Sequence, residues 1–512
     1  MANFFSKNEQ ALTQVLQAIN PNDLKKILKN KNVAIVFEEN CLSSENNKII
    51  LELATNLLSR LYPKIGIIYT GNKKDEIEFR NKLIELSKSI NPKIEIIDNE
   101  IKFTVAICIG NPVCSAEKKI YIGADSWNLE VKIDSPIDLS INNSINPFSA
   151  SAAACFGVNT VFRILFSDIL KTKYRPENIK LSILNYSKQF TSNHELTEVN
   201  LNNITFVGLG AIGNAIIWSL KHLPNLKGNI TFVDPEKIDL SNLQRYILTN
   251  QLSVNTVKVD LAKEYLSSQK ELKINVYQDE FGEFVQKNKP KCDFEKIVVS
   301  VDNAETRIAT QAVLPRIILN GWTSEQGYLG ISRHQFDHPE KACLACMYIA
   351  TSKKRSRTEE IAELIGFEQK RTSELVVKNI VLDEKLLNEI EINKGYPKHI
   401  LSRFEGKTIN EFYREGICGG VLLPFNQDNE KITDTIVPLA QQSVLTGILL
   451  AAELIKEELN YIPKDFLVEK RINILTNLPD YICMDRNKTK NPKCICNDID
   501  YIKAYRSKFN NN

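Results

Sequence analysis

The chain is short of net charge, of histidine and of uninterrupted apolar sequence, and each shortage excludes something. Its 512 residues carry 65 basic and 62 acidic side chains, a formal net charge of +3. No field of one sign argues for nucleic acid as a partner, and the basic run Lys353–Arg357 is short enough to be a solvated loop. The five histidines are scattered, and none stands in a nucleophile–base motif. The N-terminus is polar, with no signal-peptide apolar core. The most apolar stretch, Val437–Leu454, is interrupted by Pro438, Gln441, Gln442 and Glu453. It reads as a buried helix rather than a membrane span. With no leader, the 11 cysteines point to a reducing, cytoplasmic setting in which thiols serve metals or chemistry rather than disulfides. At this length two or three domains are expected, with ample chain for a large core.

What is present centres on residues 204–213, Ile-Thr-Phe-Val-Gly-Leu-Gly-Ala-Ile-Gly. An apolar run, Ile204–Val207, reads as a buried parallel strand. Gly208 permits a tight turn, Gly210 lets the backbone approach a phosphate, and Gly213 lets the following helix pack against the strand. The helix N-terminus offers unpaired N–H groups to an anion. A second apolar run ends in Asp234, placed where a carboxylate can accept hydrogen bonds from ribose hydroxyls. Such a turn serves dehydrogenases, methyltransferases and adenylating enzymes alike.

The residues after the acid separate these classes. The chain continues through Leu240-Ser-Asn-Leu-Gln-Arg245 to Lys258, and a third apolar strand, Ile297–Val301, ends in Asp302. One acid suffices for a ribose. Arg245 and Lys258 can neutralise a triphosphate and its developing charge, and Asp302 at a strand's carboxyl end can hold Mg²⁺ together with waters and phosphate oxygens. The set suits nucleotidyl transfer better than hydride transfer.

On these residues, positions 200–345 resemble the ubiquitin-activating-enzyme superfamily. That group includes the adenylyltransferases of thiamine and molybdopterin biosynthesis and the activating enzymes for ubiquitin-like proteins. The family pattern falls on Gly208, Gly210, Gly213, Asp234, Asn242, Arg245, Lys258 and Asp302, with Tyr246 standing where a glutamine is usual. The resemblance implies that these residues bind ATP and Mg²⁺, with Arg245, Lys258 and Asp302 taking part in the chemistry.

A faint internal repeat precedes this region. Val33–Phe37 and Ile65–Tyr69 are buried-strand runs flanking a helix-like stretch, in the order seen at 204–233. Thr104–Ile109 follows like Ile297–Val301, and Ile122–Trp127 like Leu319–Ser324. Each half ends in a long helix rich in small residues, Pro147–Leu165 and Pro438–Leu454. The first half lacks the glycines; its turn reads Glu38-Glu-Asn-Cys-Leu-Ser-Ser44. Two acids there repel a phosphate and side chains block its approach. Two generic α/β domains would fit the repeat as well; the resemblance implies an α/β fold of two Rossmann-like adenylation halves, the first degenerate and the second active, forming a pseudodimer within one chain.

Cysteines supply the remaining chemistry. Cys343-Leu-Ala-Cys346 and Cys494-Ile-Cys496 could form a closed tetrathiolate site, although redox dithiols or unrelated buried cysteines fit the spacing too. The resemblance favours Zn²⁺, since relatives join these two regions that way. Cys418, followed by Gly419 and Gly420, is the single cysteine between Cys346 and Cys483. Short polar helices such as Thr358–Ile365 and Glu384–Ile392 precede it. By resemblance this is the insertion that carries a catalytic thiol; a buried structural cysteine is the plainer reading.

The resulting expectation divides the chain into an inactive half (1–185), an active adenylation domain (186–349), a helical cysteine-bearing insertion (350–425) and a returning segment with a zinc-binding tail (426–512). The activity implied is adenylation of the C-terminal carboxylate of a ubiquitin-like protein, then thioester transfer through Cys418 to a separate conjugating enzyme, since no part of the chain reads as a conjugating-enzyme domain. A bacterial antiviral conjugation system is a setting reached by analogy alone. Two other readings remain: an adenylyltransferase that stops at the adenylate, and a scaffold or NAD-dependent enzyme built on the same turn.

Overall fold

A computed structural model describes the chain apart from residues 18, 99–100, 143, 173–174, 176, 193, 197, 289–292, 350–356, 397, 414–436, 463–467, 479–491 and 510–512. It divides into two compact units, Met1–Ile349 with Pro438–Asn512, and Ala350–Val437.

The first unit contains two sheets. In chain order the strands of the first are β1 (Val33–Glu38), β2 (Lys64–Thr70), β3 (Glu95–Ile97), β4 (Phe103–Ile109), β5 (Ala116–Asp125), β6 (Asn128–Ile133) and β7 (Ile179–Ser182). Those of the second are β8 (Val199–Val207), β9 (Leu226–Val233), β10 (Glu271–Tyr277), β11 (Lys296–Val299), β12 (Ile317–Thr323), β13 (Tyr328–His334) and β14 (Glu469–Asn473). The sheet orders are β3-β2-β1-β4-β5-β6-β7 and β10-β9-β8-β11-β12-β13-β14. The second repeats the first, strand for strand. In each, the first five strands of the order run parallel and the last two are joined by antiparallel pairings. The faint repeat in the sequence is therefore a repeated fold, and both halves are Rossmann-like. Parallel strands are covered on both faces, which is why Val33–Phe37 is buried without alternation.

Two long helices close the pair. Pro147–Leu165 begins on Asn146, whose side chain accepts from the N–H groups of Phe148 and Ser149, with proline at the first helical position. By length and composition it could cross a membrane, yet 94% of that window is buried inside the protein. Ala440–Glu458 packs against it and is buried nearly throughout. The helix forms in the stretch expected, two residues beyond Pro438. Gly447 allows the same helix to approach a third, Ala211–Lys221: a Cβ there would lie 2.3 Å from the Ile212 carbonyl oxygen and 2.6 Å from the Ala215 side chain. Charged groups at this junction are mutually satisfied, with Glu453 accepting from Lys456 at 2.6 Å, from Tyr186 at 2.7 Å and from Lys470.

The second unit is helical among its described residues. Arg357–Ile365, Gln369–Val377, Glu384–Lys394, Lys398–Leu401 and Ile409–Tyr413 surround a core that includes Ile361, Leu382, Ile390, Tyr396, Phe404 and Phe412. Cys418 lies outside the described residues.

Candidate active site

The glycine turn sits at the carboxyl end of β8, whose parallel neighbours β9 and β11 lie on opposite sides of it. This is the switch point at which doubly wound sheets open a crevice. Gly208 has φ +87°, and a Cβ there would come within 2.8 Å of the Val301 side chain and 3.0 Å of the Ser300 carbonyl. At Gly213 a Cβ would meet the Gly208 carbonyl oxygen at 2.8 Å. The helix Ala211–Lys221 starts on Gly210 without a side-chain cap, so its opening N–H groups are left for an outside acceptor.

Around this turn the chain gathers most of the residues singled out above. Asp234 follows β9 and is buried. One oxygen accepts from the Leu209 N–H at 2.6 Å and the other from the Glu236 N–H at 2.9 Å. The carboxylate thus braces the glycine turn directly, a role the ribose argument had not included. Burial raises its pKa, opposed by Lys258 and these N–H groups. Lys258 opens the helix Lys258–Tyr265. Its buried ammonium donates to Glu236 and, at 3.3 Å, to the Tyr246 hydroxyl, and lies 4.0 Å from Asp234. Burial alone would lower its pKa; Tyr246, Asp234 and Glu236 outweigh that and raise it. Lys258 is thus held as a cation.

Asn242 and Arg245 belong to the segment around the short 3₁₀ helix Leu240–Gln244. The Asn242 side chain accepts from the Asp239 N–H at 2.9 Å, while Asp239 accepts from Ser241 at 2.7 Å. This capping box sets the segment's start. Arg245 donates to the Gln244 side chain at 3.3 Å, and its guanidinium lies 5.7 Å from the Tyr246 ring centroid. Asp302 is exposed just beyond β11, next to Val301, whose carbonyl accepts from buried Arg307. Arg307 also donates to the Gly321 carbonyl at 3.2 Å, fastening the loop that carries Asp302.

Several contributors were not legible as site residues. Tyr246 had been noted only as a departure from a pattern. Two cations approach its ring, Lys258 at 5.2 Å and Arg245 at 5.7 Å from the centroid, and its hydroxyl would be 3.4 Å from a Cβ on Gly210. Asn214 donates to the carbonyls of Leu209 and Gly210 at 3.0 and 3.1 Å. Glu236, two residues past the expected acid, holds Lys258.

The four cysteines converge although the pairs are far apart in sequence. The sulfurs of Cys343, Cys346, Cys494 and Cys496 all lie within 4.8 Å of one another, with Cys343–Cys494 and Cys346–Cys496 both at 3.4 Å. A tetrahedral ion with metal–sulfur bonds of about 2.3 Å asks for this clustering, so the set could hold a metal. Phe336 and Tyr505 pack around it, and Arg506 pairs with Asp337 at 2.8 Å. The tail helix Ile499–Phe509 is thereby tied to the second half.

A doubly wound sheet with a glycine turn at its switch point is a nucleotide-binding architecture. Residues 185–496, more than half of the chain, match the ThiF family model. The chain belongs to the ThiF family, and so to the adenylyltransferases. Residues 36–167 match the model of prokaryotic E2 family C. That match overturns the expectation that no part of the chain reads as a conjugating-enzyme domain; the segment's described strands repeat the sheet order of the ThiF half. A Sinorhizobium fredii chain, "Uncharacterized protein y4jF", is 34% identical over 517 residues, covering 100% of this chain and 98% of its own length. Solved structures of E. coli MccB, one with MccA-N7isoASN and one with ATP, are each 15% identical with a TM-score of 0.33. They cover 58% of this chain and 66% and 67% of their own.

Proposed function

We propose that this chain activates a ubiquitin-like protein. ATP would lie with its phosphates over Gly208–Gly213 and its ribose towards Asp234. The observation that carries this reading is the convergence of Arg245, Tyr246, Lys258 and the Asp302 loop on one glycine turn. In the reaction, a carboxylate oxygen of the substrate's C-terminus attacks the α-phosphorus, the bond to the pyrophosphate oxygen breaks, and an acyl adenylate forms. Arg245 and Lys258 meet the charge moving onto the leaving pyrophosphate. Mg²⁺, when bound, supplies further charge neutralisation, with Asp302 as its protein ligand. Zn²⁺ on the four thiolates would be structural, since a closed tetrathiolate has no open position for chemistry.

Cys418 is assigned the second step: its thiolate attacks the acyl carbon, AMP leaves, and the thioester is passed to a conjugating enzyme. The setting is a cytoplasmic one, with neither nucleic acid nor membrane as partner. A non-reducing gel tests the assignment. Wild type with its cognate ubiquitin-like protein and ATP should give a thiol-sensitive band, and Cys418→Ala should lose the band while retaining pyrophosphate release. A band that survives in the variant transfers the role to another cysteine, with Cys483 next in line. No band from wild type leaves an adenylyltransferase that stops at the adenylate.

A further inference from the structure

The segment carrying Arg245 and Tyr246 is held from both sides. On one side is its own half: Asn214, bonded to the glycine turn, accepts from the Leu248 N–H at 3.3 Å. On the other side is the helix Glu45–Leu61 of the first half. From it Arg60 donates to the carbonyls of Leu243 and Thr249, the latter at 2.9 Å, and Asn56 donates to the Ile247 carbonyl at 2.9 Å. The Arg60 Nε–H is met by the Asn56 side chain at 2.9 Å. Asn8 reaches the Arg60 carbonyl at 2.8 Å, which ties in the N-terminal helix as well.

This is a costly way to build an interface. Arg60 is 1% exposed, and main-chain carbonyls and an amide oxygen accept its hydrogen bonds. Burial pulls its pKa down to about 9. A buried cation without a carboxylate loses hydration that carbonyl dipoles only partly replace. An apolar side chain would pack there at lower cost. What the guanidinium adds is geometry, because its fixed fork of donors pins carbonyls on both sides of Arg245 and Tyr246. Gln244, which follows Leu243, lines one cavity with Arg60 and accepts from Arg245.

We propose that Arg60 and Asn56 of the first half are positioning residues for the nucleotide site of the second, fixing Arg245 and Tyr246 against the glycine turn. The inference rests on the ATP-binding reading above. It gives the degenerate half a task that needs no nucleotide of its own: its arginine is lent to the loop rather than to the phosphates.

The test uses the full-length chain with ATP·Mg²⁺ as the probe, titrated calorimetrically, alongside amide hydrogen exchange of residues 243–249 and the thermal midpoint. Asn56→Ala should weaken ATP binding about tenfold, the equivalent of about 1.4 kcal/mol. It should also speed exchange in 243–249 while leaving the midpoint within a few degrees. Arg60→Met should lose more, and Arg60→Lys should recover part of that loss through its remaining cationic donor. If Asn56→Ala binds ATP as wild type does, or leaves exchange of 243–249 unchanged, the positioning role is overturned. Wild-type binding in Arg60→Lys, whose ammonium has no planar fork, would overturn the donor geometry as its cause. If wild type binds no ATP, the ATP-binding reading fails and this inference falls with it, an outcome distinct from the others.

Discussion

The two halves of the first unit share a sheet order and differ at one turn. In the second half, β8 passes to its helix through Gly208, Leu209 and Gly210, and the helix N-terminus is left open. In the first, the connection from β1 is longer and contains the 3₁₀ turn Cys41–Ser43. Asn40 takes φ +72°, a left-handed conformation that asparagine tolerates better than most residues. The N–H groups of Asn40 and Leu42 are met by the buried Glu76 carboxylate at 3.3 and 3.4 Å, and the Tyr69 hydroxyl donates to Glu76 at 2.6 Å. Glu38 fills the next space: a Cβ on Gly110, at the end of β4, would lie 2.3 Å from its carboxylate. The first half thus carries its own anions where the second leaves room for a phosphate. Repulsion by Glu38 and Glu39 is only part of what would keep a phosphate from this turn. Glu76, from the helix after β2, is the group that occupies the turn.

The comparison can be broken in several ways. The largest effect expected is at Asp302. Asp302→Ala should reduce ATP–pyrophosphate exchange on the order of a thousandfold or more, because a metal ligand and its charge are lost together; wild-type exchange in the variant would remove Asp302 from the site. Lys258→Ala should cost on the order of a hundredfold in the same assay, with the fold retained. A count of sites is the sharpest single check. Calorimetry should find one ATP per chain, and two equivalent sites would refute the account of the first turn. Removing metal acts on the second half alone. Chelation, or Cys494→Ser, should lower the thermal midpoint and open the helix Ile499–Phe509 to protease, since the sulfur cluster and its apolar surround hold that helix. A well-folded preparation free of metal would exclude the site.

The smallest contrast lies in the paired helices, each with one glycine. A Cβ on Gly447 meets backbone, the Ile212 carbonyl oxygen at 2.3 Å, so Gly447→Ala should cost about 1–3 kcal/mol despite the helix propensity it gains. A Cβ on Gly157 meets the Ile122 side chain at 3.0 Å, which can shift, and Gly157→Ala should lie within about 1 kcal/mol of neutral. Urea titration of both variants measures the difference. Equal effects would show that the approach at Gly447 is not as tight as the geometry implies.

Local physics made much of this chain readable. A glycine turn is a local event: the positive φ at Gly208 and the close approach at Gly213 involve neighbours a few residues away, so their spacing shows in the sequence. Parallel strands announce themselves as continuous apolar runs, and the long buried helix announced itself by small and apolar residues. The repeat was visible for the same reason, since strands and helices of the same kind recur in the same order. The four cysteines were recognisable as candidates because thiols are scarce and their spacing is restrictive.

Tertiary structure alone decided the rest. Glu76 reads as one more acid at the start of an exposed-looking helix, and only the pairing of β1 with β2 brings it under the Asn40 turn. Arg60 and Asn56 read as an ordinary helix end, yet they bind carbonyls more than 180 residues away. Tyr246 reads as a lapse from a pattern, and only the fold brings Arg245 and Lys258 to its ring. The sequence by itself determined which elements form and which turn can receive a phosphate, because backbone sterics and hydrophobic burial act over short stretches of chain. Which charges meet, and which half holds the other's loop in place, depends on contacts between segments distant in sequence, and no local pattern encodes those.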